Sequence, residues 1–383
     1  MRLKVAHVLT RLDFGGAQQN TLYTARHLDS ARFEVLLICG EGGDLDADIR
    51  QDEPARTIFL DSLVRDISPL RDLQALLELR RLFVLEKPDV VHTHSSKAGI
   101  LGRLAAALAG VPVIVHTYHG FGFHDRQPPL LKGVYVLLER FCARLTTQLI
   151  FVSRANAEYA ECHALRGAEG GLLLRSGILL ADFPARGDFS RLRASAGVGA
   201  GDLLVVSIGN LKPQKNAADF VAAAARTSAR VPAARFVFIG DGPQRAALEE
   251  QVRALGLEGR LSFLGWRKDA AEWLAAADVF ALTSLWEGLP RSLVEAMKTG
   301  LPSVCYAVDG VTDVLKDGLN GFLVAPGDVE AFCERLAGLL EDPELRRRLG
   351  GVASRSIGPE FDIDAMVRSQ ESLYERLCAE RRD

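Results

Sequence analysis

Two glutamates, Glu287 and Glu295, stand in the run Ser284-Leu-Trp-Glu287-Gly288-Leu289-Pro290-Arg291-Ser-Leu-Val-Glu295. The residues before them, Asp278 to Ser284, read as a buried strand, Gly288 as a turn and Pro290 as a first helical residue, where a missing N–H costs nothing. The amides at the start of such a helix, from Gly288 to Ser292, have no intrahelical acceptor and suit an anion such as a diphosphate. Glu295 then stands five residues into the helix, about 7 to 8 Å along its axis at roughly 1.5 Å per residue. That separation suits a sugar on one side of a diphosphate and a ribose on the other. Each glutamate also has a plainer reading. Glu295 could pair with Arg291 at i, i+4, worth only about 0.2 to 0.5 kcal/mol in this weaker order, and Glu287 could be a solvated loop acid.

Three more strand-to-helix turns look built for anions. Gly15 and Gly16 follow the first strand and would let a ligand approach the backbone closely, although a plain tight turn explains them equally well. Lys215 ends the loop from Gly209 through Asn210 and Lys212, with Asn216 placed to cap the next helix. A lysine ahead of a helix amino terminus sets like charges together, a conflict that an anionic ligand would resolve. Gly240, in Gly-Asp-Gly-Pro, closes another strand, as a phosphate turn or simply a structural one.

Histidines gather in the first half at 92, 94, 116, 119 and 124. His92 and His94 would share one strand face, a spacing open to a metal, but no third ligand follows at a convincing spacing. His119 ends a strand and precedes Gly120, which is expected to put it at the edge of a cleft where it could bond a sugar hydroxyl or a phosphate oxygen, or it could be an ordinary half-buried loop histidine. The acid pairs Asp46-Ala-Asp48 and Asp362-Ile-Asp364 read as solvated faces, so no metal is expected. The stretch 121–131, with Phe121, Phe123, Arg126, Leu130 and Leu131, mixes apolar and basic residues as a lipid-touching surface would, and equally as a loop folded back on core.

The elements that must position these groups are short apolar runs alternating with amphipathic stretches throughout, the pattern of α/β parallel sheets covered by helices. Strands are predicted near residues 3–9, 33–39, 89–93, 113–117, 148–152 and 172–174, and again at 203–208, 235–239, 261–264, 278–283 and 303–306. Between the two sets, Asp182 to Gly201 loses periodicity and reads as a hinge. The chain of 383 residues therefore divides into two doubly wound Rossmann-like domains, 1–182 and 183–358, with a last helical stretch at 359–383. Ligands in such sheets lie beyond the carboxyl ends of the strands, here in a cleft expected between the domains.

A formal net charge of −3 gives no reason to expect a nucleic-acid partner. Six scattered cysteines with no C-x-x-C suit reduced thiols and a cytoplasmic home. No apolar run reaches about 18 residues, so no membrane span is expected, and the start of the chain lacks the apolar region of a signal peptide.

Taken together, the E-x7-E pair within SLWEGLPRSLVEAMKTGLPSVC, the turn at Gly15 and Gly16, His119 in HTYHGFGF, Lys215, and Asp317 to Val324 make the chain resemble, over nearly its full length, the family 4 glycosyltransferases of the GT-B fold. The resemblance implies a nucleotide-diphosphate sugar donor held mainly by the second domain, transfer with retention, no metal and no cofactor. It assigns Lys215 to the donor diphosphate, Glu287 and the amides of Gly288, Leu289 and Arg291 around Pro290 to the donor sugar, Glu295 to the ribose and His119 to the sugar or acceptor. Gly15, Gly16, Asn210 and Gly240 complete the donor surface, and the last helix is expected to pack back on the first domain. Bacterial surface polysaccharide assembly is implied, with UDP-linked donors and a glycan or polyprenyl-linked acceptor, which would bring stretch 121–131 to the inner face of the membrane. Two positions depart from the family: Asn210 replaces a common arginine, for which Lys212 could substitute, and Asp309 replaces one of two glycines. An inactive binding partner of the same fold is the competing class, and a phosphorylase or nucleotide-sugar epimerase of that fold is another.

Overall fold

The computed structural model describes residues 2–51, 55–125, 127–183 and 189–381. The chain forms two compact units, one of Met1–Gly177 with Ile363–Asp383 and the other of Ile178–Asp362. The chain passes between units at Gly177 and Asp362, a few residues from the expected 182 and 358. Residues 184–188 of the expected hinge lie outside the described residues; the part that follows carries a short helix.

Unit 1 runs β1 (Leu3–Arg11), α1 (Gly16–His27), β2 (Phe33–Gly40), α2 (Asp46–Gln51), β3 (Arg56–Phe59), α3 (Pro69–Glu86), β4 (Val90–His94), α4 (Ser96–Ala109), β5 (Val113–Tyr118), α5 (Pro129–Arg144), β6 (Gln148–Phe151), α6 (Arg154–Cys162) and β7 (Gly171–Leu173). All pairings are parallel, in the order β3-β2-β1-β4-β5-β6-β7. The reversal of direction at β1 is the switch point of a doubly wound sheet, and right-handed crossovers put α3, α4 and α5 together on one face. There Ala75, Leu79 and Phe83 of α3 and Ala98, Ala105 and Ala106 of α4 close over Val8, Ile38 and Val91.

Unit 2 holds α7 (Ser190–Ser195), β8 (Leu203–Ile208), α8 (Ala217–Arg230), β9 (Ala234–Ile239), α9 (Arg245–Ala254), β10 (Leu261–Phe263), α10 (Ala270–Ala276), β11 (Val279–Leu282), α11 (Arg291–Lys298), β12 (Ser303–Tyr306), α12 (Asp309–Val314), β13 (Phe322–Val324), α13 (Val329–Glu341) and α14 (Pro343–Arg355). Its parallel sheet has the order β10-β9-β8-β11-β12-β13, with the switch at β8. The central strands are buried on both faces, which is why LLVVSI and VFAL read as continuous rather than alternating apolar runs. Asp342 both ends α13 and starts α14, its carboxylate accepting from the amides of Glu344 and Leu345.

The last helix, α15 (Ile363–Glu380), belongs to unit 1 and lies against α1. Tyr23 donates to Asp364 at 2.6 Å, the Asp29 amide to Glu371 at 2.8 Å, and Arg32 to Glu371 at 3.1 Å. Two strands escaped the sequence reading, β3 and β13. Both are short edge strands and only partly buried, so no strongly apolar run marks them.

Candidate active site

In unit 2 the turns that follow β8 and β11 are stitched together. Leu285 donates its amide to the Gln214 carbonyl at 2.8 Å, Gln214 Nε2 returns a bond to the Trp286 carbonyl at 2.9 Å, and the Thr283 hydroxyl donates to the Asn216 carbonyl at 3.0 Å. Because β8 and β11 are neighbours, this joins the two sequence motifs at the carboxyl ends of adjacent strands. Lys215 Nζ forms an ion pair with Glu287 Oε1 there, both groups being largely buried. The conflict between Lys215 and the start of α8 is thus met by a carboxylate of the protein itself. Glu287 is accordingly no solvated loop acid, being 7% exposed, and burial, with a smaller contribution from the Glu287 charge, raises the Cys305 thiol well above its ordinary range.

Directly after Glu287, Gly288 and Leu289 are buried and Pro290 occupies the N-cap of α11 in extended conformation, so the first helical residue is Arg291, one later than expected. The plainer reading of Glu295 is realised as well: Arg291 Nη2 donates to its carboxylate at 3.2 Å. Asp309 bears on the same turn, its carboxylate accepting the Glu287 amide at 2.9 Å, with a left-handed φ of 27° that asparagine and aspartate tolerate better than most residues. Its neighbour Gly310 has no substitute, since a Cβ there would sit 1.8 Å from the Gly288 carbonyl oxygen.

Asn210 lies in the same β8–α8 turn with its buried Oδ1 lacking a hydrogen-bond partner among the described residues, and the Leu211 amide bonds the Asp241 carbonyl at 2.9 Å. Gly240 brings β9 against this turn: its φ is 137° and a Cβ would meet the Gly209 oxygen at 1.8 Å, so close backbone packing accounts for this glycine. Asn216 holds the N-cap position of α8, but at a φ of 47° its side chain bonds no helix amide and donates instead to Asp219 at 2.7 Å.

In unit 1, Gly15 is the N-cap of α1 and Gly16 its first residue, beyond the carboxyl end of β1. His119 follows β5 at the same end of the sheet, half-buried, and joins a chain of imidazoles that no spacing rule revealed. Its Nε2 lies 3.2 Å from His94 Nδ1, and His94 Nε2 lies 3.1 Å from His7 Nδ1. The parallel register pairs His7 with His92, so β1 supplies the third imidazole that the His92-x-His94 spacing lacked. The ring nitrogens of His7, His92 and His94 come within 4.8 Å of one another. Protein groups already occupy most of them: His92 bonds Tyr374 at 2.6 Å and Thr117 at 2.7 Å, so a bound metal would have to displace these partners. Burial lowers His7 and His119 to about 4 and holds His92 and His94 well below their ordinary value, leaving neutral rings near pH 7. Beside His119, between α1 and α15, a cavity of about 10 Å³ has room for one water and not for a sugar.

Of the stretch 121–131, Phe121 packs against Tyr118 and Tyr159, and Phe123 against Phe121 and Tyr159, so the folded-back reading holds for both aromatics. Arg126 lies outside the described residues. Leu130 and Leu131, which begin α5, are exposed.

Residues 15–169 match the family model of the glycosyl transferase 4-like domain, and residues 188–355 that of glycosyl transferases group 1. The chain is 36% identical over 377 residues to the Escherichia coli UDP-Gal:alpha-D-GlcNAc-diphosphoundecaprenol alpha-1,3-galactosyltransferase, covering 97% of each chain. It is 31% identical over 314 residues to the Streptomyces fradiae 2-deoxystreptamine N-acetyl-D-glucosaminyltransferase, covering 78% of this chain and 73% of that one. In fold it is similar to Anabaena HepE in complex with UDP and glucose, with a TM-score of 0.84 at 22% identity over 98% of this chain and all of that one. The sucrose-phosphate synthase of Thermosynechococcus elongatus gives the same score and identity over 99% of this chain and all of that one. With two parallel Rossmann-like sheets, matches to both family models and a relative alike along almost its whole length, the chain belongs to the group 1 and 4-like glycosyltransferases of the GT-B fold.

Proposed function

We propose that this glycosyltransferase moves a hexosyl group from a UDP-sugar, with retention and without a metal, onto a saccharide carried by a polyprenyl diphosphate at the cytoplasmic face of a membrane. The observation that carries the reading is the Lys215–Glu287 pair at the mouth of β8 and β11, with the amino terminus of α11 directly after it. Fixed positive charge and free amides are what a departing nucleoside diphosphate requires, because negative charge builds on its outer phosphate as the bond to the sugar breaks. Lys215 takes that charge. Glu287 and the amides of Gly288 and Leu289 hold the sugar, Glu295 bonds the ribose while sharing Arg291, and neutral His119 hydrogen-bonds the sugar or acceptor. Gly15 and Gly16 give the donor close backbone approach, and Asn210 lies in the turn that leads to Lys215. Glu287 is engaged by Lys215, which favours a front-face displacement over a covalent intermediate on that carboxylate. The bond from C1 to the phosphate oxygen breaks, the bond from C1 to the acceptor oxygen forms on the same face, and the acceptor proton passes to the leaving phosphate.

The name of the Escherichia coli relative makes UDP-galactose, with an N-acetylglucosaminyl diphosphate lipid as acceptor, the first pair to assay. The purified chain is given UDP-galactose, UDP-glucose, UDP-N-acetylglucosamine or GDP-mannose with a short-chain acceptor of that type, with and without EDTA, and the product is read by NMR. An α-linked product that survives EDTA is expected. A β-linked product would refute retention, loss of turnover in EDTA would refute metal independence, and UDP binding without transfer would favour an inactive binding partner.

A further inference from the structure

We infer that the outward face of α5, continued by α3, is a docking surface for an anionic lipid bilayer. Among the described residues, every exposed large hydrophobic side chain except Leu173, Leu255 and Leu319 lies on α3, on α5, at the end of α4 or at Ile67 just before α3. On α5 they are Leu130, Leu131, Val134, Leu137, Leu138 and Phe141, with Leu130 84% and Leu137 68% exposed. Spacings of 1, 4, 7, 8 and 11 from Leu130 put them on one helical stripe. The opposite side of the same helix faces the protein: Val136, Glu139, Cys142 and Ala143 are buried. Leu70, Leu73, Leu77 and Val84 repeat the pattern on α3. Helix α4 packs against both α3 and α5, so the two stripes share one face of the unit 1 sheet.

Charge selects the occupant. Helix α5 offers Arg140 and Arg144, Lys132 being paired with the exposed Asp125 just before the helix, and its single carboxylate, Glu139, is buried against Arg103. On α3 the acids are engaged inward or sideways, Asp72 by Lys97, Glu78 by Ser62 and Glu86 by Lys4 and Arg56, while Arg71 and Arg81 are exposed. Apolar side chains set among basic ones, on helices whose own acids are buried or paired, match an anionic headgroup layer over acyl chains. A second copy of the same face would set lysine and arginine against their like. Among the described residues no helix is long and apolar enough to span a membrane, and the contact proposed is interfacial.

The inference deepens the proposed lipid-linked acceptor, and its flotation test is independent of any sugar. The full chain is floated with vesicles of phosphatidylcholine, or of phosphatidylcholine and phosphatidylglycerol in equal parts. Wild type is expected to float with the anionic vesicles and to be released by salt. The variant Leu130→Ser/Leu137→Ser/Phe141→Ser should bind about 10²-fold more weakly, and Arg140→Glu/Arg144→Glu at least roughly ten-fold. A UDP thermal shift like that of wild type shows that each variant is folded. Equal flotation of wild type and the triple variant would overturn the inference, as would a wild type that stays with the soluble fraction. A dimer in light scattering that the triple variant makes monomeric would instead assign this face to a second copy. The triple variant should keep its rate on a water-soluble acceptor while losing it on one embedded in vesicles, and an equal loss on both would also count against the docking role.

Discussion

At the scale of single residues, Lys215 and Glu287 form a pair whose members depend on each other. Replacing Lys215 by alanine removes the positive charge proposed for the leaving diphosphate and strands a buried carboxylate. Single-turnover kinetics should show a loss of roughly 10² to 10³ fold, the scale of one lost oxyanion donor, with a lowered Tm alongside. Wild-type turnover would dismiss the assigned role. His119 carries a second expectation. Along His7–His94–His119 only one direction of donation leaves a bare lone pair rather than an unpartnered N–H at the buried His7 Nε2, and orphaned buried N–H groups are the rarer case. His119 should therefore be protonated on Nδ1 and present a donor. Long-range proton–nitrogen NMR reads the tautomer directly, and an Nε2-protonated His119 would reverse the order of the chain.

Between elements, α4 and α5 are fastened by a fully buried ion pair. Arg103 Nη2 donates to Glu139 at 2.6 Å, Tyr118 of β5 donates to the same carboxylate oxygen at 2.7 Å, and Arg103 Nε donates to the Gly99 carbonyl at 2.8 Å. Glu139→Ala leaves the guanidinium buried and unpaired and should cost about 3 to 5 kcal/mol in urea unfolding. Arg103→Met with Glu139→Leu should recover most of that loss, because what costs is the lone charge and not the missing pair. A single variant within about 1 kcal/mol of wild type would mean that water reaches Arg103. The same pair turns the one acid of α5 inward and leaves the outer face of that helix to its leucines and basic residues. Exposure of this kind is invisible in sequence: PLLKGVYVLLERFCAR has apolar residues on both sides, and only packing against α4 and β5 decides which side is covered. The aromatics at 121 and 123 went the other way for the same reason, since a pocket beside Tyr159 was there to receive them.

For the molecule as a whole, the buried histidines of unit 1 tie stability to pH. His7, His92, His94 and His116 are neutral in the folded state, their pKa values held below the ordinary 6.5 chiefly by burial. Above about pH 6.5 both folded and unfolded chains are unprotonated at these sites and stability is flat on their account. Between there and about pH 4 the unfolded chain binds protons that the folded chain refuses, so stability falls as pH falls, by up to about 1.4 kcal/mol per pH unit for each site. Denaturant midpoints at pH 7.5, 6.5, 5.5 and 4.5 should decline over the last three, less steeply in His7→Asn. A flat profile would show that acid charges these rings without unfolding the unit.

By itself the sequence determined the two doubly wound sheets, because strands buried on both faces must be continuous apolar runs and the helices between them must be amphipathic. It also determined the motif proposed for the donor, since Glu287, Gly288, Pro290 and Glu295 sit within one turn and the helix that follows it. Tertiary structure alone decided which distant groups meet. Parallel register brought His7 beside His92, strand adjacency brought Lys215 to Glu287, and the glycines 240 and 310 were set by backbone contacts with Gly209 and Gly288. Local spacing encodes what lies within one element or one turn, whereas contacts between elements depend on strand order and register, which no short stretch of chain specifies.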